Sequence, residues 1–385
     1  MLFDKEIDYK YACAKFVLAE QHHVNGRRTQ AAGRGVRIGD VAVEAGVSTA
    51  TVSRALASPD QVRPELRARV QAAVAKLGYT PNAAARQLRV KRSRTALVVT
   101  RRRWSAPFFA EVLRGLDEEL SAAGYAMVLG NLDEEGGERS RQLVDMMFSG
   151  TIDGAVLLSG RVAAADGRDM FGAGLPLVSL CAAIEGTHTI LTDEGACIAR
   201  GARELLALGH RDFLYLPGPA DNYNEQVRWA AMSEVFASAP SDARLFRADH
   251  CDFSLAAGVL AARDFLAMSC RPTAVVAVSD ENAIGFLQTV QEAGVRVPED
   301  VSVLGFDGIE FADFCRPALS TIRQPRLELG RAGARALLKA IEDGPSLPLV
   351  RQVLPNELCL RGSTGPVREA GRSFTRDSGP GVSRT

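Results

Sequence analysis

A chain of 385 residues, 46% hydrophobic and 24% charged, has material for two or three packed domains, and its formal net charge of zero hides a basic segment. Ten basic and four acidic residues lie between Val36 and Arg92, a surplus that points to a polyanionic partner for that module alone. Seven cysteines, odd in number, widely spaced and without a Cys-x-x-Cys pair, exclude a disulfide framework and a zinc site and fit a reducing compartment. No apolar run reaches the length of a membrane span, and Asp4, Lys5, Glu6, Asp8 and Lys10 interrupt the stretch where a signal peptide needs its apolar centre. A cytoplasmic protein without a membrane partner is expected.

Residues 1–35 show no periodicity and end in a run rich in Gly and Arg; they read as a disordered basic arm, part of which could precede the native start. Residues 36–80 read as a compact helical unit. Its first helix carries Val41, Ala42 and Ala45 on one face, and Gly46 supplies the turn. Val47 plugs the small core, and Ser48 caps a second helix. Val52 and Leu56 face inward at i, i+4 spacing, leaving Thr49, Ala50, Ser53 and Arg54 outward. A third helix starts at Pro64, buries Leu66, Val70, Ala73, Val74 and Leu77, and stops at Gly78. The shape is a helix-turn-helix. Small residues at the start of its second helix allow deep entry into a major groove, where an arginine reaches guanine O6 and N7. The alternative is a three-helix packing unit with no nucleic-acid role, against which the basic surplus speaks. Residues 81–94 contain a helix-like stretch too short to be stable alone.

From residue 95 to 363 the pattern changes to short apolar strands alternating with amphipathic helices. Strands are expected at Ala96–Val99, Ala126–Leu129, Gly154–Leu158, Leu177–Leu180, Asp212–Leu216, Ala274–Val278 and Val301–Gly305, with helices between them such as Phe109–Ala123 and Glu281–Ala293. Such alternation builds parallel sheets through right-handed crossovers. The units are too many for one sheet, so the expectation is an α/β body of two similar lobes around a cleft. Residues 364–385, rich in Gly, Ser, Arg and Pro, read as a disordered tail.

The string Asp40-Val-Ala-x-Glu-Ala-Gly-Val-Ser-x-Ala-Thr-Val-Ser-Arg-x-Leu, followed by Arg69-Val and Leu77-Gly-Tyr-x-Pro-Asn-Ala-x-Ala-Arg-x-Leu, closely resembles the headpiece of the LacI family of transcription regulators. The resemblance implies that Thr49, Ala50 and Arg54 read bases, and that Ser48, Thr51, Ser53 and Asn82 contact phosphates or brace the headpiece. It makes residues 81–94 a hinge helix and linker. Leu88 is then the wedge between base pairs with Ala85 beside it, and Arg89, Lys91, Arg92 and Arg94 follow phosphates. The implied partner is near-palindromic operator DNA, bound by a homodimer. The chain end lacks leucine heptads, so no C-terminal tetramer bundle is expected.

The body resembles the family's periplasmic-binding-protein-like effector domain through Ala106-Pro-Phe-Phe-Ala-Glu, Leu208-Gly-His-Arg, Ser279-Asp-Glu-Asn-Ala-Ile-Gly, Val297-Pro-Glu-Asp-Val-Ser-Val-Leu-Gly-Phe-Asp and Ile322-Arg-Gln-Pro. By that resemblance Phe108, Arg228, Phe253 and Asp307 contact a small polar effector: a sugar, a sugar derivative or a nucleoside. Cys181, Ser279 and Gly308 depart from the common pattern, as does Arg101-Arg102-Arg103-Trp104. That basic run suits either an exposed loop, the reading preferred here, or an acidic ligand. Parts of the headpiece, and Phe314-Cys315 followed by Pro317-Ala-Leu-Ser-Thr-Ile, are most similar to the cytidine-repressor branch. No nucleotide-binding glycine loop, nucleophile elbow or zinc motif occurs in the sequence. No catalytic residue, metal or cofactor is therefore expected. A transport-type solute-binding protein shares the two lobes but not the basic head.

Overall fold

A computed structural model describes residues 36–57, 59–79, 92–101, 107–132, 137–344 and 348–367. The chain divides into two compact units, residues 1–86 and 87–385.

In the first unit, α1 (Ile38–Ala45) begins where the Asp40 carboxylate accepts the Arg37 N–H at 2.7 Å. This satisfies a donor that the helix leaves free and sets an acid in the first turn, where the helix dipole favours it. The helix ends at Gly46, whose φ of +61° suits glycine. Helix α2 (Thr49–Ala57) starts on Ser48, whose Oγ accepts the Thr51 N–H at 3.1 Å. Helix α3 (Pro64–Leu77) opens with proline at its first position and closes at Gly78, again left-handed. Val41, Val52 and Val70 are fully buried and bring the three helices together, with Val47, Leu56, Val74 and Leu77 packed around them. Each such valine contributes about 1.5–3 kcal/mol of burial. Arg69 on α3 donates to the carbonyls of Ala45 (2.6 Å) and Gly46 (3.2 Å), which neutralises the negative end of α1.

The second unit runs β1 (Thr95–Arg101), α4 (Pro107–Ala122), β2 (Ala126–Leu132), α5 (Glu138–Phe148), β3 (Gly154–Leu157), a small ribbon of β4 (Ala164–Ala165) and β5 (Arg168–Asp169), β6 (Leu177–Leu180) and β7 (His188–Thr192). It continues with α6 (Glu194–Ala207), β8 (Asp212–Leu216), α7 (Tyr223–Ala237), β9 (Arg244–Arg247), α8 (Leu255–Ala267), β10 (Ala274–Ala277), α9 (Asp280–Glu292) and β11 (Ser302–Asp307). It ends with α10 (Phe311–Phe314), β12 (Ser320–Arg323), α11 (Arg326–Asp343), β13 (Arg351–Leu354) and β14 (Glu357–Cys359). Two six-stranded sheets result, ordered β13-β7-β6-β3-β1-β2 in lobe 1 and β14-β12-β11-β10-β8-β9 in lobe 2. Every pairing in them is parallel except β12 with β14. Both central sheets are covered on two faces, which is why their strands read as continuous apolar runs.

Each lobe has a helix pair in near-backbone contact. A Cβ on Gly330 of α11 would lie 2.0 Å from the Val112 carbonyl of α4, and one on Gly258 of α8 would lie 2.0 Å from the Asn282 carbonyl of α9. Only glycine permits either crossing. Three segments carry the chain between lobes, after β7, β12 and β13. They are laced side by side: Thr192 Oγ1 donates to Gln324 Oε1 (2.9 Å), the Asn356 N–H to Asp193 Oδ1 (2.6 Å) and the Asp193 N–H to the Leu354 carbonyl (3.1 Å).

The seven expected strands coincide with observed strands to within three residues, whereas β4, β5, β7, β9, β12, β13 and β14 were not expected. The expected tail starts later than residue 364. Gly365 bonds Ser302 and His210, and the Val367 N–H donates to the Leu208 carbonyl at 3.0 Å, so residues 364–367 finish lobe 2. The arm of residues 1–35, the hinge stretch 80–91 and residues 368–385 lie outside the described residues.

Candidate functional site

In the first unit, burial of Val52 and Ala55 turns the other face of α2 outward. Ser48, Thr49, Ala50 and Arg54 are exposed, and Thr51 and Ser53 are half-buried. The Ser48 hydroxyl stands 2.9 Å from Thr51 Oγ1 and also accepts the Thr51 N–H, so these two side chains brace the start of the helix. Thr49, Ala50 and Arg54 thus form an exposed surface of two small side chains and one long cation. Asn82, Ala85, Leu88 and Arg89 lie outside the described residues. Two residues assigned by resemblance to phosphates are engaged otherwise. Arg92 donates to the Ile341 carbonyl (3.1 Å) and Arg94 to the Ala123 carbonyl (3.2 Å), both on lobe 1.

In the second unit, a cleft of about 1380 Å³ lies between the lobes, and Phe108, Arg228, Phe253 and Asp307 all line it. Phe108, near the start of α4, meets Phe109 edge to face at 5.2 Å between centroids. Phe253 rests on Gly218, where a Cβ would come within 2.7 Å of its ring. Its carbonyl accepts the Ser279 hydroxyl at 2.8 Å, and Ser279 also caps α9. Ser279 therefore has a framework role.

Arg228, on α7, is 3% exposed. Its Nε donates to Glu194 at 2.9 Å, Nη1 donates to the Val278 carbonyl, and the guanidinium lies 3.7 Å above the centroid of the Phe306 ring. Burial alone would lower its pKa; the Glu194 and Asp307 carboxyls outweigh that and hold it above the usual value. Asp307 ends β11 with a φ of +112°. Its Oδ1 accepts from Gln324 Nε2 at 2.9 Å. Burial pushes its carboxyl up to about 7, against the pull of Arg228 and Gln324. Gln324 links the cleft to the lobe crossings, because it bonds Asp307 with its amide nitrogen and Thr192 with its amide oxygen.

Glu194 and Gln324 were not singled out from sequence. Gln324 sits in the quoted Ile322-Arg-Gln-Pro string, and Glu194 follows a strand hidden by its polar letters. The departures have local reasons. Cys181 takes a φ of +65° on the cleft wall, and burial raises its thiol far above the usual range. At Gly308, φ +67°, a Cβ would stand 2.7 Å from the Arg323 Cα, so no acidic side chain fits. Arg101 is not on an exposed loop: it is the last residue of β1, half-buried, and lines the cleft. Arg102, Arg103 and Trp104 lie outside the described residues.

Among the described residues no histidine lines the cleft and no three His, Cys, Asp or Glu side chains gather as metal ligands. No described helix is long and apolar enough to cross a membrane. The cleft wall thus combines the aromatic rings of Phe108 and Phe253 with the Asp307 carboxyl and the Arg228 guanidinium.

Comparison with known proteins follows the same division. Residues 37–82 match the family described as bacterial regulatory proteins, lacI family, and residues 202–364 match a periplasmic binding protein-like domain. The HTH-type transcriptional repressor CytR of Escherichia coli K12 is 32% identical over 334 residues, covering 84% of this chain and 95% of that protein. The HTH-type transcriptional repressor PurR of Erwinia tasmaniensis is 32% identical over 345 residues, 86% of this chain and 98% of that one. The lac repressor dimer bound to operator and the anti-inducer ONPF superposes with a TM-score of 0.74 at 26% identity, covering 86% of this chain and all of that one.

Proposed function

Since the chain belongs to the LacI family of bacterial regulatory proteins, we propose that it is a sequence-specific transcriptional repressor whose grip on operator DNA is set by a small polar effector. The observation that carries this is identity at 32% running through head and body alike to a transcriptional repressor. A solute carrier of the transport type has no use for the exposed face of α2, and the family's regulators are not enzymes. We assign residues 36–80 to DNA binding, 81–94 to the hinge, and 95–363 to effector binding and pairing of two copies. The site of action is the cytoplasm.

In this mechanism two heads of a homodimer engage the two halves of a near-palindromic site. Thr49, Ala50 and Arg54 read bases, Ser48, Thr51, Ser53, Asn82 and Arg89 brace or contact phosphates, and Leu88 with Ala85 opens the central step. In the cleft, Asp307 accepts effector hydroxyls, the Arg228 guanidinium donates to effector oxygens, and Phe108 and Phe253 flank the ring. A ligand that changes the Asp307–Gln324 bond acts directly on the lobe crossings through Thr192. The change in operator affinity then equals the difference in ligand affinity between the two lobe arrangements. Selection of bound duplexes from a random pool by the purified full chain tests the reading. A near-palindrome should be enriched by wild type and lost with Arg54→Ala; a pool that stays random after repeated rounds refutes it.

A further inference from the structure

The mouth of the cleft carries charges that Phe108, Arg228, Phe253 and Asp307 do not account for. Arg101 and Arg161, both from lobe 1, line it. Ser159, only 2% exposed, organises them. Its carbonyl accepts Arg101 Nε at 2.8 Å, its hydroxyl donates to the Arg161 carbonyl at 2.6 Å, and the Arg161 N–H returns to that hydroxyl at 3.3 Å. The acid that meets both comes from lobe 2: Asp221, just before α7, bonds Arg161 Nη2 and stands 3.9 Å from Arg101 Nη2. Among the described residues, one carboxylate thus serves two guanidiniums. Burial lowers the Arg101 pKa, Asp221 offsets part of this, and the Arg161 charge lowers it further, so the two cations are close enough to repel.

The Arg161 and Asp221 side chains are each about half exposed, at 52% and 53%. Such a pair in water contributes little net, so its carboxylate is replaceable. The Arg228 charge is already matched by the buried Glu194. On the lobe 2 wall the sign reverses, where Asp252 and Glu281 line the cleft. Among the described lining residues, the charges on lobe 1 are Arg101 and Arg161, and those on lobe 2 are Arg228, Asp252, Glu281 and Asp307.

We propose that Arg101 and Arg161 form an anion subsite, and that the effector carries a phosphate or carboxylate group that takes the place of Asp221 on the two guanidiniums. The inference rests on reading the cleft as the effector site, and it deepens that reading by naming the ligand class: a hydroxylated molecule bearing one anionic group. Two preset guanidinium forks match the oxygens of either anion. Because Asp221 belongs to the other lobe, an anionic ligand unties the lobes at the mouth as it binds, whereas a neutral sugar leaves the tie in place.

Calorimetric titration of the full chain with matched probes tests this: ribose 5-phosphate against ribose, 6-phosphogluconate against glucose, and cytidine 5′-monophosphate against cytidine. In at least one pair the anionic member should bind at least tenfold more tightly. Arg101→Gln and Arg161→Gln should each cut that ratio by tenfold or more. Arg161→Lys, which keeps the charge, should retain part of it, and Asp221→Asn should raise it at least threefold. Melting curves of each variant serve as the folding control. A neutral member that binds as well as its anionic partner in every pair, with binding lost in Asp307→Asn, overturns the subsite and leaves the effector cleft standing. Anionic preference that survives both glutamine variants also overturns the subsite. If no probe of either kind binds, the effector reading falls and the subsite with it.

Discussion

Arg228 is both a wall of the cleft and half of a buried ion pair, and the two roles separate under substitution. The side chains of Arg228 and Glu194 are 3% and 6% exposed. Arg228→Met keeps most of the volume but leaves Glu194 buried without a counter-charge. Removing one partner of such a pair costs about 3–5 kcal/mol. At about 2–4 °C per kcal/mol for a domain of this size, the ligand-free body should melt roughly 6–20 °C lower. Adding Glu194→Gln removes the stranded charge. Replacing a buried pair by neutral side chains is close to break-even; beyond the pair, the double variant loses the bond to the Val278 carbonyl and the contact over Phe306, about 1–3 kcal/mol together, so it should recover most of the lost melting temperature. Circular dichroism melts without ligand at fixed pH provide the assay. A single variant that melts with wild type, or a double variant no better than the single one, refutes the claim that Arg228 offsets the cost of burying Glu194.

Arg54→Ala should weaken specific operator binding by about 1–3 kcal/mol, measured by fluorescence anisotropy, with effector affinity unchanged; parallel loss of both contradicts the division of labour. Gly46→Ala forces a side chain into φ +61° and sets a Cβ 2.5 Å from Arg69 Nη2. With about 1–2 kcal/mol for the left-handed conformation alone, amide exchange at Val52 and Val70 should speed up about tenfold or more, and unchanged protection contradicts the assignment. Burial raises the Asp307 carboxyl to about 7, and the proposed acceptor of effector hydroxyls is its ionised form. Effector affinity should climb as pH passes 7 and then level off; a profile unchanged by Asp307→Asn assigns the titration to another group. Because this carboxyl is raised in the native state, its contribution to stability is complete below its unfolded value, about 4, and is lost as pH rises through about 7. Ligand-free wild type should therefore lose melting temperature relative to Asp307→Asn over that window.

The parts legible in the sequence were those where one physical signal dominated. Val41, Val52 and Val70 gave the three-helix head, since helical spacing and glycine stops leave few alternatives. Central strands such as Ala274–Ala277, buried along their whole length, announced themselves as unbroken apolar runs. Three of the missed strands show why others did not. β9 and β13 are sheet edges whose Arg residues face water, so their letters read as loop. β7, His188-Thr-Ile-Leu-Thr, is buried throughout, but its polar groups find partners that no local pattern reveals, such as His188 accepting the Val350 N–H at 3.1 Å. The cleft residues carried by resemblance all line one cleft, Phe108 from lobe 1 and Arg228, Phe253 and Asp307 from lobe 2. Glu194, Gln324 and the Arg101–Arg161–Asp221 cluster were not foreseen, because each depends on a partner 30 or more residues away.

The central claim is that occupancy of the cleft changes the hold of the head on DNA. It is tested by measuring the affinity of the full chain for its selected operator with and without a saturating cleft ligand, in wild type and in Asp307→Asn. Coupling of about 1–3 kcal/mol predicts a shift of roughly 5–150-fold in wild type and little or none in the variant. A ligand that demonstrably fills the cleft yet leaves operator affinity unmoved contradicts the account.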